Sequence, residues 1–65
     1  MKKSFIPQST AIREVVFDTN SHELTVWFHD SEVHTYHNVP EGVFEEFKSA
    51  RSAGAYFNSS IRDIY

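Results

Sequence analysis

The segment from Leu24 to Tyr36 has the pattern of a β-hairpin, and that hairpin constrains everything the chain can build around it. Leu24-Thr25-Val26-Trp27-Phe28-His29 alternates apolar and polar side chains, Asp30-Ser31 supplies a two-residue reversal, and Glu32-Val33-His34-Thr35-Tyr36 returns. Successive strand residues leave opposite faces, so alternation marks a half-buried strand. With Phe28 opposite Val33, the hairpin places Trp27, His34 and Tyr36 on one face. That face must be covered by another element or meet a partner.

A hairpin cannot stand alone in water, and only 65 residues are available to cover it. A domain of this size buries about 60% of its unfolded surface. The absence of cysteine removes both a disulfide staple and a thiolate metal site. Stability therefore rests on an apolar core, and six Phe, three Tyr and one Trp are its natural material. Each buried ring removes on the order of 150–250 Å² from water.

Upstream, Met1 to Thr10 is polar, contains Pro7 and holds no sustained period; residues 1–8 are expected to form a partly mobile leader. Ala11 to Phe17 has strand composition, and Asp18-Thr19-Asn20-Ser21 is a turn cluster whose side chains bond neighbouring backbone. With Phe17 opposite Leu24, one sheet face collects Val15, Phe17, Leu24, Val26, Phe28, Val33 and Thr35. The other collects Ile12, Glu14, Val16, Thr25, Trp27, His34 and Tyr36. A single bulge would reassign part of either set.

Downstream of Val39-Pro40, the residues Val43, Phe44, Phe47 and Ala50 follow the stripe of a helix laid on a sheet. Pro40 and Glu41 stand at its start and Lys48 and Arg51 near its end, as the helix dipole favours. Ser52-Ala53-Gly54 breaks this helix, with Gly54 as a left-handed cap, and a second short helical turn follows with Phe57, Ile61 and Ile64 in helical spacing. The expected fold is α+β: a three-stranded antiparallel meander followed by one main helix and a short carboxyl-terminal helix, in one domain spanning 1–65.

The order of these residues resembles the KTSC domain, a family named for the carboxyl end of some lysyl-tRNA synthetases and also found as free-standing bacterial or phage proteins. The resemblance runs from Ser9 and Ile12 through Phe17-Asp18, Leu24-x-Val26-x-Phe28, Val33-His34-Thr35-Tyr36 and Val39-Pro40. It ends on Ser52-Ala53-Gly54-Ala55-Tyr56-Phe57-Asn58, Ile61-Arg62 and Tyr65. The family's Tyr-x-Tyr appears here as His34-Thr35-Tyr36, and the glycine common at its hairpin turn is Ser31. What the resemblance implies about activity is RNA binding, through the synthetase fusion.

The residues themselves admit three kinds of chemistry. Trp27, His34 and Tyr36, flanked by Arg13 and Arg62, have the composition of a single-stranded RNA surface, where rings stack on bases and cations follow phosphates. The structural alternative is that the rings only fill the core. His22, His29, His34 and His37 suggest a metal, yet His34 and His37 fall on opposite strand faces and at most two ligands converge near the hairpin, so no metal and no cofactor is expected. No nucleophile elbow, phosphate loop or metalloprotease motif occurs, and so short a chain is not expected to frame a deep pocket; an enzyme is not expected.

Six basic against nine acidic residues leave a net charge of −3, which opposes duplex nucleic acid as a ligand. No apolar run reaches the length of a signal peptide or a membrane span, so the expected location is cytoplasmic, with no membrane partner. The expected function is a small non-enzymatic binding module for single-stranded RNA or tRNA. The alternative is a protein adaptor or inhibitor docking through a sheet edge or helix face.

Overall fold

A computed structural model describes all residues from Met1 to Tyr65. The elements run β1 (Lys2–Phe5), β2 (Ile12–Asp18), β3 (Glu23–Phe28), β4 (Val33–Tyr36), α1 (Glu41–Ser49) and α2 (Ala53–Ser60). The four strands form one antiparallel sheet in the order β1-β2-β3-β4. Sheet and helices make the expected α+β fold, but the meander has four strands rather than three.

The additional strand comes from the segment expected to be a leader. Lys2 pairs with Asp18 and Phe5 with Val15. Its sequence, Lys-Lys-Ser-Phe, lacks apolar alternation because one of its two inward positions is a lysine. Lys3 projects to the helix side and reaches Glu41 Oε2 at 2.6 Å and Glu45 Oε2 at 3.1 Å. Phe5, two residues on, packs edge-on against Phe44 and Phe47, with ring centroids 5.5 and 5.3 Å apart.

Local chemistry sets the element ends. In the β2–β3 turn the Asn20 N–H donates to Asp18 Oδ1 at 2.9 Å, and His22 takes φ 58°. Pro40, extended at φ −64° and ψ 146°, starts α1, with Glu41 in the first turn and Lys48 in the last. Gly54 does not cap α1. It lies in the first turn of α2, no glycine has positive φ, and Ser52 is the cap, its Oγ accepting the Ala55 N–H at 3.2 Å.

The core is apolar throughout: Ile12, Val15, Phe17, Leu24, Val26, Val39, Phe44, Phe47, Ala53, Phe57 and Ile61 are buried, and no polar side chain joins them. Each fully buried large apolar side chain contributes about 1.5–3 kcal/mol by removal from water. Phe17 stacks on Phe44 at 5.4 Å, and Phe57 meets Phe28 edge-on at 5.4 Å. Both helices thus cover the Val15–Phe17–Leu24–Val26 face and leave the other face of the sheet without a covering element.

Two irregularities redistribute the strand faces. A bulge at Arg13 separates the pairs Ile12–Phe28 and Glu14–Trp27, which turns Ile12 into the core, where it is fully buried, instead of onto the opposite face. The β3–β4 reversal holds three residues, His29, Asp30 and Ser31, instead of two. Phe28 N–H donates to the Glu32 carbonyl at 2.8 Å and Ser31 N–H to the Phe28 carbonyl at 3.1 Å. Ser31 takes φ 77°, the left-handed residue that follows a type I turn in such loops.

Candidate functional site

The three-residue reversal decides where the candidate rings go. On β4, Val33 pairs with Trp27, His34 with Val26, Thr35 with Thr25 and Tyr36 with Leu24. Direct cross-strand partners share a face, so His34 and Tyr36 lie on the side of Val26 and Leu24, beneath which the helices pack. Trp27 lies on the opposite side with Val33, Thr25 and Thr35. The single face of Trp27, His34 and Tyr36 expected from the alternation does not form, because one extra loop residue turns every β4 side chain over.

Arg13 and Trp27 make up the patch on the uncovered face. The Arg13 guanidinium carbon sits 5.7 Å from the indole centroid, within cation–π range, and the bulge supplies the orientation. Trp27 is half-buried and Val33 beside it is 43% exposed. Thr25 and Thr35 link their hydroxyls at 3.3 Å across the same face.

His34, Tyr36 and Arg62 come together on the other side, in a half-open cleft of about 400 Å³ between β4, the hairpin loop and α2. The volume falls in the range of small-ligand sites, which so short a chain was not expected to frame. The His34 and Tyr36 rings lie 6.5 Å apart at 29°, nearly parallel. Phe28 meets His34 edge-on at 5.5 Å, and Phe57 meets Tyr36 edge-on at 5.8 Å, so the pair rests on core rings. Burial raises the Tyr36 phenol above its ordinary pKa; the charge of Arg62 opposes this and that of Asp63 adds to it.

Asp30, Glu32 and Asn58 complete the polar lining. Asp30 Oδ1 accepts the Glu32 N–H at 3.0 Å, and His34 Nε2 faces Glu32 Oε1 at 3.3 Å. Arg62 pairs with no carboxylate of the chain within 4.0 Å. Asn58 and Arg62 stand four residues apart, the first in α2 and the second in the turn just beyond it, and Glu32, His34 and Tyr36 follow i, i+2 spacing from the hairpin loop into β4. Both spacings are visible in the sequence, but the second is informative only once the loop length is known.

The remaining histidines are dispersed. His29 Nε2 donates to the Ser9 carbonyl at 3.1 Å, His37 Nδ1 lies 3.1 Å from Glu23 Oε2, and the His22 ring packs edge-on to Phe17 at 6.1 Å. No three His, Asp or Glu side chains converge as metal ligands. Ser9 closes the turn before β2, its Oγ accepting the N–H groups of Ala11 and Ile12 at 3.1 and 3.0 Å. No helix is long and apolar enough to cross a membrane.

Comparison with known proteins extends over nearly the whole chain. The family model of the KTSC domain matches residues 8–65. Among solved structures, the chain is similar to the crystal structure of the KTSC domain protein YPO2434 from Yersinia pestis, with 25% identity and a TM-score of 0.90 over 98% of this chain and 90% of that one. No curated protein matches in sequence.

Proposed function

This chain belongs to the KTSC domain family, and on that premise we propose that it is a small non-enzymatic binding module whose ligand is single-stranded RNA or a single-stranded part of a tRNA. The observation that carries this reading is the nearly parallel His34–Tyr36 ring pair on the floor of a cleft whose wall holds Arg62 without a carboxylate partner. Single-stranded RNA is gripped by flat rings under unstacked bases and by cations at phosphates, and each stacked base contributes about 1–3 kcal/mol. Trp27 under Arg13 supplies a second platform around the β4 edge, so a chain of nucleotides leaving the cleft crosses that edge to reach it. The net charge of −3 keeps the electrostatic contribution small, and binding is accordingly weak and favoured by low salt.

Chemical-shift mapping with a single-stranded oligoribonucleotide at low salt tests the reading. The expected perturbations fall on His34, Tyr36, Asn58 and Arg62 and fade as salt is added. An unchanged spectrum with RNA in the millimolar range rejects it.

A protein partner is the second reading, favoured by the edge of β4, which pairs with β3 alone and leaves outward backbone groups free for an added strand. Capture of partners with and without nuclease separates the two. Partners lost on nuclease treatment favour RNA, and partners retained favour the edge.

A further inference from the structure

The cleft is electrically polarised along its length. Glu32, His34 and Tyr36 alternate onto the same side of the returning strand, spanning about 13 Å from first to last at the ordinary strand rise. Asp30 and Glu32 line the hairpin end, the ring pair follows along the strand, and Arg62 lines the cleft where its charge acts on the Tyr36 phenol. One oxygen of Asp30 takes the Glu32 N–H at 3.0 Å and one of Glu32 takes His34 Nε2 at 3.3 Å, so each carboxylate keeps a second oxygen with no donor from the chain.

We infer that this cleft selects a nucleotide by the donors on its base edge, with guanine preferred, an inference that rests on the RNA reading above. The base lies on the His34–Tyr36 rings, its Watson–Crick edge faces Asp30 and Glu32, and its phosphate faces Arg62. Ionised carboxylates only accept hydrogen bonds. Guanine presents a ring N–H and an adjacent amino group, two parallel donors that suit a carboxylate. Uracil presents one N–H between two carbonyls, which meet the acceptors unfavourably, while adenine and cytosine each set an amino group beside an acceptor nitrogen. A site that satisfies donors on the right base discriminates by about 1–3 kcal/mol per good pair.

Fluorescence anisotropy with labelled pentauridylates carrying a central guanosine, inosine or uridine tests the inference. The guanosine oligomer is expected to bind about tenfold more tightly than the all-uridine one. Inosine, which lacks the amino group, should fall between them. In the double variant Asp30→Asn, Glu32→Gln the preference should shrink to within about twofold. Asparagine preserves an acceptor for the Glu32 N–H, so the loop is retained. Arg62→Ala should weaken all three oligomers by a common factor, because it acts on the phosphate. Equal binding of the three oligomers to the unmodified protein overturns the base preference and leaves the RNA reading standing. Binding of none of them overturns both.

Discussion

Val26 faces His34 across the β3–β4 ladder, and this pairing carries the imidazole to the side on which Val26 is fully buried. A two-residue reversal would instead set Trp27 opposite His34 and assemble the aromatic residues on one surface. The actual reversal separates them into an Arg13–Trp27 patch and a His34–Tyr36–Arg62 cleft, divided by the thickness of the sheet.

Ser31, the left-handed residue of that reversal, is where the hairpin is strained. An L-residue with a Cβ pays about 1–2 kcal/mol in this conformation, and glycine avoids the penalty at a smaller entropic cost of its own. Ser31→Gly is expected to stabilise the domain by about 0.5–1 kcal/mol, a rise of roughly 2–8 °C in Tm for a domain of this size. Thermal melts followed by circular dichroism check this; an unchanged or lower Tm counts against strain at Ser31.

The Arg13–Trp27 contact has an optical readout because Trp27 is the only tryptophan. Exposed cation–π pairs contribute about 0.5–1 kcal/mol. Arg13→Ala should lower the Tm by a few degrees and shift the indole emission to longer wavelength as water replaces the guanidinium. Emission identical to that of the unmodified protein would show that Arg13 does not shield the ring.

Lys3 links β1 to α1 through Glu41 and Glu45. The Lys3 hydrogen bond, followed by its charge, holds the Glu41 carboxyl below its ordinary 4.5. As pH falls through that range the unfolded chain takes up the proton before the folded one, so stability falls with it. The contribution is complete above pH 4.5 and lost as acidity passes the lowered folded value. Lys3→Met should flatten this acid slope and accelerate hydrogen exchange at β1 amides. High salt should narrow the difference between the two proteins, since the groups are exposed. An acid limb with unchanged slope in the variant would remove the linkage.

Tyr56 stacks on Phe47 at 5.5 Å and donates from its hydroxyl to Glu46 Oε1 at 2.8 Å. Burial first, then this hydrogen bond, pushes its phenol from 10.0 up to about 12. Between those values the unfolded chain has released a proton that the folded chain still holds, so stability declines as pH rises through the window. Tyr56→Phe should shallow the alkaline limb of a stability-versus-pH curve measured by denaturant titration. A spectrophotometric titration should show Tyr56 ionising at about 12 in the native protein, with Tyr36 also displaced above its ordinary value. Uniform ionisation of all three near the ordinary value would contradict this environment.

Much of the architecture was legible in the order of residues. Alternation at Leu24–Phe28, the Asp18–Asn20 turn, Pro40 before α1 and the Val43–Phe44–Phe47 stripe each arise from chemistry local to a few neighbours, and local chemistry is what a linear pattern records. The membership implied by the ordered motifs from Ser9 to Tyr65 stands on the same footing and agrees with the match over residues 8–65.

Only tertiary structure decided the rest. Lys2–Phe5 becomes a strand because β2 has an open edge and Glu41 and Glu45 await Lys3, partners some forty residues away that no local pattern displays. Gly54 enters a helix because Ser52 caps it from outside. The surface offered to a ligand turned on whether the hairpin loop held two residues or three. A strand has a period of two, so an error of one residue leaves its composition unchanged and exchanges the face of every side chain it carries.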